Sequence, residues 1–167
     1  MSPLCGIESG DGAGWAQKAP EELQKALVEA GDTRQLEGGC RLFAFGEEAS
    51  GVFLILQGRA RAVLPGGAGR ELLRLTAGPG SLLGVPSALC AKNYQFDVEA
   101  LEPLDAVFVP VTQLNDLLRQ RPELGMQVMG MMCEELSALG KTREHLSRCE
   151  NRECGLYCQC KQAAALG

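Results

Sequence analysis

Val52-Phe53-Leu54-Ile55-Leu56 is a continuous apolar run closed by Gly51 and Gly58. Its short length, flanking glycines and β-branched or aromatic content predict a strand buried on both faces. Before it, Leu23, Ala26, Leu27, Val28 and Ala30 recur at helical spacing after Pro20-Glu21-Glu22, a proline and two acids suited to a first turn. Gly31 is the expected stop. Residues 33–36 and 41–45 read as short strands around a Gly38-Gly39 turn. Residues 59–64 and 70–75 flank Pro65-Gly66-Gly67-Ala68-Gly69 and predict a hairpin. Residues 81–84 form a further short strand, and 86–89 one helical turn. Between Gln95 and Leu101 the polarity alternates, with Phe96, Val98 and Ala100 on one face. Residues 104–109 make the last strand. Short strands between Gly/Pro turns predict a mainly β fold with flanking helices, a sandwich or barrel.

The pattern then changes from period two to period 3.6. Thr112 is the expected N-cap of a helix over 113–121, and Pro122 opens a longer one reaching about Arg148. Along it Leu124, Val128, Met132, Leu136, Leu139 and Leu146 form a near-heptad seam. Such a seam packs either on the protein's own sheet or on a second copy. A terminal helix of this length outreaches a small barrel, so a homodimer is the favoured reading. Gly130 and Gly140 weaken the helix by about 1 kcal/mol each relative to alanine. The expected organisation is a loose arm (1–19), a β unit with flanking helices (20–121), the long helix (122–148) and a tail (149–167).

Composition narrows the class. The chain has 167 residues, 46% of them hydrophobic, enough for one domain with one core. No apolar run approaches membrane-spanning length, and the first twenty residues lack a signal-peptide pattern. A cytoplasmic protein that does not insert in a membrane is therefore expected. The formal net charge of −5 argues against direct nucleic-acid binding.

Several motifs now combine. Gly46-Glu47-x-Ala49, Val52-Phe53-Leu54-Ile55-x-x-Gly58, Leu75-x-x-Gly78-x-Gly80-x-x-x-Gly84 and the alternating strand ending Glu99-Ala100 resemble the cyclic-nucleotide-binding domain of Crp/Fnr-type regulators. The resemblance covers residues 20–148. It implies a β jelly roll with flanking helices and a long dimerisation helix. In that family a Gly-Glu pair and an Arg-Ser/Thr-Ala segment hold the ribose and the cyclic phosphate. Here Val85 follows Gly84, and Lys92-Asn93-Tyr94-Gln95-Phe96 stands where the arginine segment belongs. No arginine occurs between Arg74 and Arg119. The candidate ligand residues are Gly84, Val85, Ser87, Ala88, Lys92, Tyr94, Gln95 and Phe96. Lys92 would offer a point charge rather than a bidentate fork. A buried phosphate without its cation is costly, so ordinary cyclic AMP binding is not expected. Either another ligand or a filled core takes its place, and Val85, Tyr94 and Phe96 favour the filled core. The family's DNA-binding helix-turn-helix is not recognised after the long helix, so direct DNA binding is not expected.

The tail carries Cys149, Cys154, Cys158 and Cys160 in a C-x4-C-x3-C-x-C pattern. Four thiolates suit zinc or an iron–sulfur cluster, but the spacing matches neither usual motif. A redox-active tail with free or disulfide-linked cysteines is an equal alternative. No catalytic constellation is legible. The one histidine, His145, lies far along the helix, which excludes a histidine-lined metal site inside the barrel. The expected function is a non-enzymatic sensory or regulatory module, the alternative a redox or metal sensor working through the tail.

Overall fold

The computed structural model describes residues 18–69 and 71–150, and side chains up to residue 137, Leu72 excepted. The order is α1 (Glu21–Ala30), β1 (Asp32–Leu36), β2 (Arg41–Phe43), β3 (Gly51–Gln57), β4 (Ala60–Pro65), β5 (Glu71–Ala77), β6 (Leu82–Leu83), α2 (Val85–Leu89), β7 (Asp97–Ala100), β8 (Leu104–Pro110), α3 (Val111–Gln120) and α4 (Pro122–Glu150). Two four-stranded antiparallel sheets, β1-β8-β3-β6 and β2-β7-β4-β5, form the jelly-roll sandwich. The sequence expectation of a jelly roll with flanking helices holds. Among the described residues no helix is long and apolar enough to cross a membrane.

The continuous apolar run of β3 has a direct cause. Strand side chains alternate, and both faces of this strand are covered. Phe53 and Ile55 enter the sandwich interior with Phe43, Ala62, Leu75, Val98, Leu104, Ala106 and Phe108. Val52 and Leu54 face the other way, into a second core with Val107 and Val109 of β8, Leu23 and Leu27 of α1, Leu114 of α3 and Leu124 and Val128 of α4. The hairpin of β4 and β5 pairs as expected from Ala60↔Ala77 to Pro65↔Glu71.

Local details differ from the expectation. β2 ends at Phe43, because the chain turns there: Glu47 N–H donates to Ala44 O at 3.2 Å and Ala44 N–H to Glu47 Oε2 at 3.0 Å. Thr112 is not the cap of α3. That helix starts at Val111, straight after Pro110 ends β8, and has no side-chain cap. Its first N–H donates instead to Ser50 O at 3.0 Å. Gly31 does end α1, but in an extended conformation (φ −116°). Space is the reason for the glycine, since a Cβ there would lie 2.5 Å from Val107 Cγ1 and 2.6 Å from Phe108 O.

The expected seam of α4 divides. Leu124 (0% exposed) and Val128 (3%) are spent on the protein's own helical core, and Met132 is half-buried against it. Leu124 and Val128 are therefore covered within the protomer, while Met132 keeps part of its surface open. Leu136 is exposed (67%), and Met126 (64%), Met129 (54%) and Cys133 are exposed with it. At 3.6 residues per turn these four fall on the side of α4 opposite Leu124, Val128 and Met131. The side chains of Leu139 and Leu146 lie outside the described ones.

Candidate functional site

The candidate ligand segment runs from the end of β6, through α2, to the start of β7. Gly84 caps α2 with φ +86°, a left-handed conformation that favours glycine. Val85 and Ala88 are buried on the helical side, in the core they share with α1 and α4. Ser87 is buried as well (5%). Tyr94 and Phe96 belong to the other core, inside the sandwich. Lys92 and Gln95 are exposed, and Gln95 Nε2 donates to Asn93 O at 2.9 Å. The eight residues therefore do not converge on one space. The two apolar cores on either side of the sheet divide the buried ones, and solvent takes the remaining polar side chains.

Lys92 contributes its backbone rather than its charge. Its N–H donates to Ser87 O at 3.0 Å, and its carbonyl accepts from Ala49 N–H at 3.3 Å. Further contacts fasten this segment to the loop between β2 and β3. Tyr94 N–H donates to Glu47 O (2.8 Å), Gly46 N–H to Tyr94 O (2.9 Å) and Asn93 Nδ2 to Gly46 O (2.9 Å). Phe45 N–H donates to Asp97 Oδ1 at 2.9 Å. Two stretches some fifty residues apart are thus joined along their length.

Tyr94 sits at the centre of this junction, 2% exposed. Its ring stacks on Phe43, with centroids 3.9 Å apart and planes at 18°. Its hydroxyl donates to Gly51 O at 2.7 Å and accepts from Gly51 N–H at 3.2 Å. Both functions of a buried phenol are met. A Cβ placed on Gly84 would lie 3.0 Å from Tyr94 Cε1, so the ring lies against the turn that opens α2. Beyond Phe43 the aromatic contacts continue to Phe53 (5.8 Å) and from Phe53 to Phe108 (4.8 Å), where the Arg34 guanidinium lies 4.1 Å from the ring centroid. Sequence reading named Tyr94 but missed its partners Phe43, Glu47 and Gly51. Glu47 belongs to the Gly46-Glu47-x-Ala49 motif of the resemblance, Gly51 is visible only as the glycine before an apolar run, and no local pattern marks Phe43.

The other predicted site, Cys154, Cys158 and Cys160 with the Cys149 side chain, lies outside the described residues. Among the described residues no group of three or more His, Cys, Asp or Glu side chains is placed to hold a metal ion.

A Gly-rich jelly roll with a helical turn between β6 and β7 and a long helix after β8 defines a class of fold, a β sandwich flanked by helices. The cyclic nucleotide-binding domain family matches residues 33–121, and the chain belongs to that family. The type is that of Crp/Fnr regulators. Among curated relatives, the transcriptional activator protein anr of Pseudomonas aeruginosa is 29% identical over 103 residues, 62% of this chain and 42% of the activator. The patatin-like phospholipase domain-containing protein 6 of Homo sapiens is 25% identical over 105 residues, 63% of this chain but 8% of that protein. The chain thus matches less than half the length of either relative. Of solved structures, the Thermus thermophilus catabolite activator protein superposes with a TM-score of 0.69 at 23% identity, over 77% of this chain and 60% of that one. Oxidized CprK in complex with o-chlorophenolacetic acid gives 0.63 at 18% identity, over 75% and 52%. At these identities the structural likeness bears on the fold.

Proposed function

We propose that the chain is a non-enzymatic sensory or regulatory module of the Crp/Fnr type that does not take cyclic AMP in the family's usual way. The observation that carries this reading is the ground beside Gly84. The buried side chain there is a tyrosine with its hydroxyl satisfied by the backbone, and the nearest cation of the segment, Lys92, is exposed. A cyclic phosphate would have to displace Tyr94 and enter an apolar core without a buried partner charge. The fold does not require a nucleotide, since CprK is complexed with o-chlorophenolacetic acid. Titration calorimetry of the full chain with cyclic AMP and cyclic GMP is expected to show no saturable heat. Micromolar binding of either would overturn the reading.

The module works as a homodimer through the outer stripe of α4. Met126, Met129, Cys133 and Leu136 step by three, four and three residues, the spacing of a two-helix seam, and their side chains are exposed in the single chain. Sedimentation equilibrium is expected to give a dimer. The pair Met129→Glu and Leu136→Glu is expected to give a folded monomer, because neither side chain belongs to a core of the protomer. The net charge of −5 supports action on a protein partner rather than directly on nucleic acid. A soluble, cytoplasmic location fits the same reading.

A second reading rests on the four cysteines crowded between residues 149 and 160. There the tail senses oxidants or holds zinc or an iron–sulfur cluster. An absorption spectrum and metal analysis of anaerobically prepared protein separate the two. A colourless, metal-free chain whose stability ignores chelators and oxidants removes the second.

A further inference from the structure

We propose that Tyr94 is a tethered ligand. Its phenol occupies the place beside Gly84 and pins residues 92–96 onto residues 46–51, so that the module holds one conformation with no small molecule bound. This rests on the reading that a cyclic nucleotide does not fill the site, and it goes beyond that reading by giving the residue an active positioning role.

The contacts are of two kinds. Backbone bonds from Gly46, Ala49 and Tyr94, with the Asn93 amide, form a ladder between two loops. A ladder between loops at the protein surface opens readily unless something deeper holds it. The Tyr94 side chain supplies that anchor. It passes from the ladder into the sandwich core, stacks on Phe43 of β2, and ends in a paired hydrogen bond to Gly51 at the first residue of β3. One side chain therefore connects the β6–β7 segment to both ends of the β2–β3 loop. The Gly51 N–H donates at the mouth of a strand, and the phenol oxygen accepts from it as a ligand oxygen would. A ring held by stacking and one polar pair is also separable from its backbone. If the side chain is cut off at Cβ, the space left has the shape and polarity of para-cresol.

Hydrogen exchange by NMR on the full chain tests this. In Tyr94→Phe the stack remains and the hydroxyl is gone. The Gly51 amide is expected to exchange at least about tenfold faster, the scale of one lost hydrogen bond, with smaller increases at Gly46, Ala49 and Tyr94's own position. Amides of Ala62 and Leu75 in the β4–β5 pair are expected to be unchanged. Tyr94→Ala is expected to loosen 46–51 and 92–96 together, and millimolar para-cresol to restore their protection. Equal acceleration of the Ala62 and Leu75 amides in Tyr94→Phe would show a merely structural core residue and overturn the proposal, as would an unchanged Gly51 amide. A folded Tyr94→Ala that ignores para-cresol overturns it too; if that variant does not fold, the Tyr94→Phe exchange pattern decides. Calorimetry of the unaltered chain with cyclic AMP reports on the underlying reading separately. Binding there with a local Tyr94→Phe response would sink the reading and keep the anchor. No binding with no local response would do the reverse.

Discussion

Gly51 shows how a single residue's role depends on distant partners. A Cβ there would lie 2.6 Å from Phe108 Cε2 and 2.7 Å from Cζ, inside the packed interior, and would also meet the β8 backbone. The residue has no left-handed backbone to explain it, so its glycine is a matter of room. Gly51→Ala is therefore expected to cost about 2–3 kcal/mol by overpacking, measured as a shift of the urea midpoint with unchanged slope. The same substitution would push Phe108 away from Arg34 and disturb the carbonyl that Tyr94 holds. In the sequence Gly51 was legible only as punctuation before an apolar run. The contact that uses its N–H and C=O comes from Tyr94, whose ring and oxygen reach it across 43 residues. Likewise, Lys92 read as a stand-in cation because charge is visible in a sequence and side-chain direction in a loop is not.

At the scale of elements, α4 carries two apolar stripes. Periodicity detects a stripe but does not say what covers it, and a helix with apolar residues on opposite sides gives a seam that mixes both. Alternation in β7 and continuity in β3 follow directly from one covered face and two. The two stripes separate by mutation. Leu124→Ala is expected to destabilise the protomer by about 2–5 kcal/mol as a core truncation. Met129→Ala is expected to leave protomer stability within about 0.5 kcal/mol, as at a surface position, while weakening association in sedimentation. The start of α4 also carries an ionic junction. Arg121 Nη2 donates to Glu22 Oε1 of α1 at 2.7 Å, and Nε to Glu123 Oε1 at 2.9 Å. The hydrogen bond from Arg121 holds the Glu123 carboxyl below its ordinary value of 4.5. A lowered carboxylate pKa stabilises the fold above the unfolded value, and that contribution fades as pH falls through the folded one. Glu123→Gln is expected to flatten the loss of stability on acidification below about pH 5. The junction is exposed, so the change should be small and weaker still in high salt.

For the whole molecule, the sheet β1-β8-β3-β6 stands between two cores, and the family match at 33–121 covers one of them more completely than the other. The sandwich interior draws its buried residues from Phe43 to Phe108, all inside the match. The helical core does not. Leu23 and Leu27 of α1 and Leu124, Val128 and Met131 of α4 lie outside it. Each such side chain contributes roughly 1.5–3 kcal/mol when fully buried, so the five together supply about 8–15 kcal/mol. A typical domain keeps only about 5–15 kcal/mol of net stability after the entropy cost of ordering the chain, so losing this burial leaves little margin for the sandwich alone. Without them Val52, Leu54, Val107 and Val109 would form an exposed apolar sheet face. A fragment of residues 33–121 is therefore expected to aggregate or to unfold without cooperativity. A fragment of residues 18–137 keeps both cores and both stripes of α4 up to Leu136, and is expected to unfold in one transition near the midpoint of the full chain. Differential scanning calorimetry of the three proteins decides. A cooperative transition in the 33–121 fragment would show that the sandwich interior suffices and that α1 and α4 are accessories, which the burial of Leu23, Leu27 and Leu124 argues against.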